Sequence, residues 1–168
     1  MGDAAIVRNF FGEEISLNKL KFFFIFCPNN SGTTILSQYV SSQIGGYLPP
    51  FGDNEGQMAP AVKKMMRTRP WDSNQKFDWR FIRRQWEYLA AGNVFVEASP
   101  PNLIRVEDIK AVFGRDSSGL VSICNPYQHI SSAFRRYLID PKVVAINWAR
   151  KAREIMRIRE NYPFFLFA

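Results

Sequence analysis

Lys21-Phe22-Phe23-Phe24-Ile25-Phe26-Cys27-Pro28-Asn29-Asn30-Ser31-Gly32-Thr33-Thr34 is the stretch that decides the fold. Its first half, residues 21 to 27, is a continuous apolar run of strand length, which suits a strand buried on both faces. Its second half holds Pro, two Asn, Gly and three hydroxyls, the composition of a turn. From Thr33 to Gln43 the residues Ile35, Leu36, Tyr39 and Val40 recur at helical spacing, and Gly45-Gly46 end the pattern. Strand, glycine-containing turn and helix form the first unit.

Outward from this unit the alternation continues. Residues Tyr47 to Phe77 carry Pro49, Pro50, Gly52, Gly56, Pro60 and Pro70, so they read as a loop-rich cap segment around a short helical piece at Ala61 to Met66. Asp78 caps a helix through Trp79, Ile82, Trp86 and Leu89 that closes near Gly92, and Val94-Phe95-Val96 follows as a short buried strand. Ser99 caps a further helix with Pro100 and Pro101 in its first turn and Leu103, Ile104, Ile109 and Val112 on its inner face, ending at Gly114. Leu120 to Cys124 is a third strand. Pro126 opens a helix through Ile130, Phe134 and Tyr137, and Asp140-Pro141 start a long basic helix to about Asn161. Pro163 onward reads as a fourth strand.

Strands alternating with helices predict an α/β fold with a central parallel sheet covered on both faces, its ligands beyond the carboxyl ends of the strands. At 168 residues the chain reads as a single domain, 1–168, and its end at the start of strand four reads as the front part of a longer domain. Hydrophobic residues make up 46% and aromatics 15%, which excludes disordered and low-complexity classes. No apolar run approaches the roughly 20 residues of a membrane-spanning helix, and no membrane partner is expected.

Twenty-two Lys and Arg against 15 Asp and Glu leave a net charge of +7, which favours an anionic partner. Specific nucleic-acid recognition is not expected, because no recognised module or repeated aromatic-basic pattern accompanies the charge. Cys27 and Cys124 fit no metal-ligand spacing and a single His, His129, leaves too few soft ligands, so no metal site is expected. Free thiols and a start without a secretory signal point to the cytoplasm. The basic residues of the last helix, Lys142, Arg150, Lys151, Arg153, Arg157 and Arg159, read as a solvated face with Trp148 and Ile155 turned inward. His129 reads as a surface or cap residue.

The turn carries the chemistry. Between a buried strand and a helix, residues 27 to 34 present backbone N–H groups, hydroxyls and the positive end of a helix dipole to one point, which is an anion cradle. A nucleoside triphosphatase loop needs Gly-Lys-Ser/Thr, and Thr33 stands where that Lys belongs, so ATP hydrolysis is disfavoured. A sulfuryl group carries less charge and needs no metal.

On these residues the chain resembles the sulfotransferase family, whose donor is 3'-phosphoadenosine 5'-phosphosulfate (PAPS). Ser31-Gly32-Thr33-Thr34 is similar to the family loop for the 5' phosphosulfate. Asn125-Pro126 and Ser132 are similar to the segment for the 3' phosphate, and Glu97-Ala98-Ser99-Pro100-Pro101-Asn102 to a Glu-Lys-Ser-Pro segment between them. The resemblance implies a three-layer α/β sandwich related to P-loop nucleotide kinases. It also implies transfer of a sulfuryl group from PAPS, a cosubstrate, to a hydroxyl or amine acceptor.

Asn30, Ala98 and Cys124 stand where the family carries cations, each of which contributes about 1.5–3 kcal/mol through charge-assisted hydrogen bonds. Arg135 and Arg136, on nearly the same helix face as Ser132, are the candidate replacements, with the basic window Lys63 to Arg84 as another source. The candidate donor site is thus Asn30, Ser31, Gly32, Thr33, Thr34, Cys124, Ser132, Arg135 and Arg136. Glu97 reads either as the general base for the acceptor or as the cap of the helix that follows it. A degenerate, non-catalytic nucleotide- or anion-binding protein of the same fold is the alternative to an enzyme.

Overall fold

The computed structural model describes residues 6–163 and 165–167. The chain opens with an antiparallel hairpin of β1 (Ile6–Arg8) and β2 (Glu14–Ser16) and then enters β3 (Phe22–Phe26). There follow α1 (Thr33–Ile44), α2 (Pro60–Arg67), α3 (Trp79–Ala90), β4 (Phe95–Glu97), α4 (Val106–Phe113), β5 (Ser117–Val121), α5 (Pro126–Tyr137), α6 (Pro141–Asn161) and β6 (Leu166–Phe167). The predicted strand from Pro163 includes Phe164 and Ala168, which lie outside the described residues, as do Met1 to Ala5.

The four strands β4-β3-β5-β6 form one parallel sheet in that order, with Phe22 level with Phe95 on one side and Ser117 on the other. This is a mixed α/β architecture around a parallel sheet. Alternation along β3 explains its wholly apolar run. Phe22, Phe24 and Phe26 enter a large cluster with Trp79, Ile82 and Trp86 of α3, Val106, Ile109 and Phe113 of α4, and Ile155 and Ile158 of α6. Phe23, Ile25 and the following Cys27 join a smaller cluster with Leu20, Val40 of α1, Val96 and Leu120. The large cluster is mainly aromatic: Trp86 stacks on Phe95 at 5.1 Å, and Phe113 meets Phe22 edge-on at 4.7 Å. Fully burying each such side chain contributes about 1.5–3 kcal/mol.

Two boundaries differ from the sequence pattern. β5 starts at Ser117, three residues before the apolar run at Leu120, because its hydroxyls are satisfied inside: Ser117 Oγ donates to Phe113 O at 2.6 Å and Ser118 Oγ to Arg8 O at 2.8 Å. The helix predicted from Ser99 to Gly114 is two pieces, a 3-10 turn at Pro100–Ile104 and α4, separated at Arg105, whose φ of −126° breaks the helix. The other predicted helices stand within a few residues of their expected ends. Asp78, Asn125 and Asp140 cap α3, α5 and α6 through their side chains, each accepting from a first-turn N–H.

β3 leads by its connection to β4 on one side, whereas β5 leads to β6 on the other, so the chain direction across the sheet reverses between β3 and β5. Ligand crevices form beyond the carboxyl ends of strands at such a point. The loops after β3 and β5 both end there.

Candidate functional site

The loop after β3 turns through two left-handed residues, Asn30 at φ +58° and Gly32 at φ +79°. Asn is one of the few side chains that enters this region readily. A Cβ at Gly32 would meet nothing within 4 Å, so glycine is required there for its backbone and not for space. Gly32 is the N-cap of α1, and unlike Asp78, Asn125 and Asp140 it supplies no side-chain acceptor. The first amides of α1 therefore remain open at the positive end of the helix.

In front of them lies a cleft of about 340 Å³ lined by Asn29, Asn30, Gly32, Thr33, Thr34, Ile35, Asp53, Glu55, Pro100, Ser132, Arg136 and Tyr137. Asn30, Gly32, Thr33, Thr34, Ser132 and Arg136 of the predicted set thus share one cavity, although nearly a hundred residues separate the two segments. Ser31 and Cys124, also in the predicted set, do not line it; they meet each other, Ser31 Oγ lying 3.1 Å from Cys124 Sγ and tying the loop after β3 to the loop after β5. Trp148 Nε1 donates to Cys124 O at 3.2 Å and fixes the second loop from α6.

Three expectations need correction. Arg135 does not share the cleft with Arg136: it lies on the outer side of α5, beside Tyr127, Gln128, Ser131 and Phe134, because consecutive helical residues point about 100° apart. None of the cations between Lys63 and Arg84 lines the cleft; Arg83, for one, is held by Glu87 and Asp116. His129 is buried at 3% exposure, not on the surface, 3.8 Å from Cys124 Sγ, and burial first and Lys151 second hold its pKa below the usual histidine value.

Glu97 is wholly buried at the end of β4 and does not line the cleft. Its Oε2 accepts from Gly56 N at 2.7 Å, and its Oε1 from Ser99 N and Asn102 Nδ2, both at 2.9 Å. Burial pushes its pKa up to about 7 against the pull of these bonds. A base for an acceptor must reach the acceptor's proton, and this carboxylate is turned into the protein. Its capping role extends further than the sequence pattern implied, since it also clamps the segment at Gly56. Ala98, 1% exposed among Phe23, Val40 and Val96, occupies a place where a cation would be desolvated.

Two groups at the site were not singled out by the pattern. Asp53 and Glu55 bring carboxylates to the cleft wall, and Glu55 is held above the usual carboxylate pKa by burial. Lys151 of α6 reaches the back of the loop, its Nζ donating to Asn29 Oδ1 at 3.2 Å and lying 4.5 Å from the Trp71 ring centre. Burial lowers its pKa, opposed by the nearby Cys27 and Cys124 thiols. Cys27 Sγ lies 3.8 Å from Thr33 Oγ1, and burial pushes this thiol up to about 11, so it stays protonated.

Among the described residues no group of His, Cys, Asp and Glu could hold a metal ion, and no helix is long and apolar enough to cross a membrane. No protein-family model matches the chain, and no curated protein matches it. Among solved structures, a sulfotransferase domain from the curacin biosynthetic pathway is similar, with a TM-score of 0.55 and 17% identity over 89% of this chain and 66% of that one. The chain therefore has a sulfotransferase-like fold and spans just under two thirds of that neighbour's length.

Proposed function

We propose that the cleft binds PAPS within the three-layer, nucleotide-kinase-like arrangement of the sulfotransferases, and that the protein transfers its sulfuryl group to a hydroxyl or amine. The observation that carries this is the pairing of an uncapped α1 N-terminus, flanked by Thr33 and Thr34, with Ser132 and Arg136 across one cavity. The amides and hydroxyls would hold the 5' phosphosulfate, and Ser132 with Arg136 the 3' phosphate. The acceptor oxygen or nitrogen attacks sulfur as the bond to the phosphate oxygen breaks, leaving 3',5'-ADP, and the acceptor's proton passes to a base. Glu55 or Asp53, the carboxylates on the cleft wall, takes that role in preference to Glu97. The free thiols Cys27 and Cys124 fit the cytoplasm as the place of action.

Binding without transfer is the second possibility, favoured by charge: among the described residues Arg136 is the one cation lining the cleft, against two carboxylates in the same lining, Asp53 and Glu55. Calorimetric titration with 3',5'-ADP and with ADP tests the binding, and release of labelled sulfate from PAPS onto hydroxyl and amine acceptors separates the two. The 3'-phosphorylated ligand is expected to bind about tenfold more tightly, and Arg136→Ala to remove about 1.5–3 kcal/mol of that affinity. Equal affinities, or no binding of either, would overturn the assignment of the cleft.

A further inference from the structure

We infer that the cavity between Trp71 and α6 is a second ligand site, for a ring-bearing organic molecule with two or more sulfate or phosphate groups. The cavity encloses about 580 Å³, is larger than the cleft and shares none of its lining residues; Trp71, Ile104, Asn147, Arg150, Lys151, Arg153 and Glu154 form it.

Its charge is unbalanced. Among the described residues Glu154 is the one carboxylate in the lining, and Arg157 Nε engages it at 3.0 Å from outside the cavity. Asp72, beside Trp71, faces Arg69 and the Asn74 amide. Arg150 and Arg153 are both exposed, and among the described residues neither donates to any group. Two free guanidinium groups one helical turn apart, with the half-buried Lys151 ammonium beside them, form a polyanion receptor. Phosphate and sulfate share the tetrahedral oxyanion geometry that guanidinium groups bind bidentately.

The walls are preformed. Arg105, itself 3% exposed, donates to Asp72 O at 2.9 Å and covers the Phe77 ring at 4.3 Å, which pins the segment bearing Trp71. Trp71 and Ile104 supply the apolar part of the lining, and the Asn147 amide offers both a donor and an acceptor. A ring fits the apolar wall while its substituents reach α6. Lys151 spans the distance to the cleft, because its ammonium both lines this cavity and holds Asn29.

The test uses the intrinsic fluorescence of Trp71 during titration with a disulfated disaccharide, a bisphosphorylated hexose and inorganic sulfate, with Trp71→Phe identifying the signal. Both organic polyanions are expected to bind about tenfold more tightly than inorganic sulfate, and the tighter of the two identifies the group the site prefers. Arg150→Ser/Arg153→Ser should weaken both about tenfold or more, and Arg150→Lys/Arg153→Lys, which keeps the charge without the bidentate fork, should restore only part of the loss. Neither arginine lines the cleft, so 3',5'-ADP binding should be unchanged in the serine variant. Loss of 3',5'-ADP binding by the unmodified protein overturns the cleft assignment and leaves this site standing. Undiminished polyanion binding in the folded serine variant, or inorganic sulfate matching the organic ligands, overturns the second site.

Discussion

Glu97 couples stability to pH through a single carboxylate. Its folded pKa is raised from 4.5 to about 7 by burial, so between those values the native chain keeps a proton that the unfolded chain releases. Stability from this group is present at low pH and is lost as pH rises through that window. His129, whose pKa is lowered, acts in the opposite sense near and below its unfolded value, so the comparison must be between variants. Glu97→Gln should lower the Tm near pH 5, since its amide must place a donor against Gly56 N or the Ser99 and Asn102 donors, and should lose the fall in Tm that Glu97 adds between pH 5 and 8. A variant with the unmodified protein's slope would assign the titration elsewhere. A second residue stores backbone strain: Leu138 ends α5 at φ +54° while 80% exposed. Leu138→Gly removes little packing and relieves about 1 kcal/mol, an expected gain of about 2–4 °C in Tm by calorimetry.

At the scale of elements, α6 shows what periodicity carries and where it misleads. Its basic run reads as solvated, and Arg150 and Arg153 are exposed as that reading expects. Yet Val144, Trp148, Lys151, Ile155 and Ile158 follow one another at steps of four, three, four and three, which is the inward stripe of a helix. Lys151 is therefore a cation in a core register, and that position was the available signal for its reach to Asn29. Lys151→Met keeps the stem against Trp71 and removes the charge; 3',5'-ADP affinity should fall about tenfold with little change in Tm. β3 and the helices with side-chain caps were legible because one local pattern specifies each of them. β5 was not legible to its start, since Ser117, Ser118 and Gly119 look like a turn until Phe113 O and Arg8 O accept from the two hydroxyls. The β1–β2 hairpin, three residues a strand with one buried side chain, Ile15, carries too little alternation to be read.

Across the whole molecule, the Pro- and Gly-rich segment 47–77 was legible as irregular chain around a short helix, but its attachment was not, because the partners lie in distant elements. It is docked on the sheet rather than free: Val62 and Met66 of α2 enter the large cluster, Gln57 N donates to Ser99 Oγ at 3.1 Å, and Trp86 Nε1 donates to Gly56 O at 3.3 Å. Gly56 is the closest approach. A Cβ there would lie 2.1 Å from Glu97 Oε2 and 3.0 Å from the Trp86 ring, so the segment, the sheet and α3 meet at a residue that must lack a side chain. Since Asp53 and Glu55 on the same segment form one wall of the cleft, the clamp at Gly56 sets the distance between carboxylates and anion loop. Gly56→Ala should force Glu97 and the segment apart, while α2 stays anchored by its two buried side chains. Hydrogen exchange is the direct measurement: amides at 53–58 should exchange about tenfold faster or more, and those of Phe22–Phe26 should keep their protection. Unchanged exchange at 53–58 would mean that α2 alone holds the segment and that Glu97 is not its clamp.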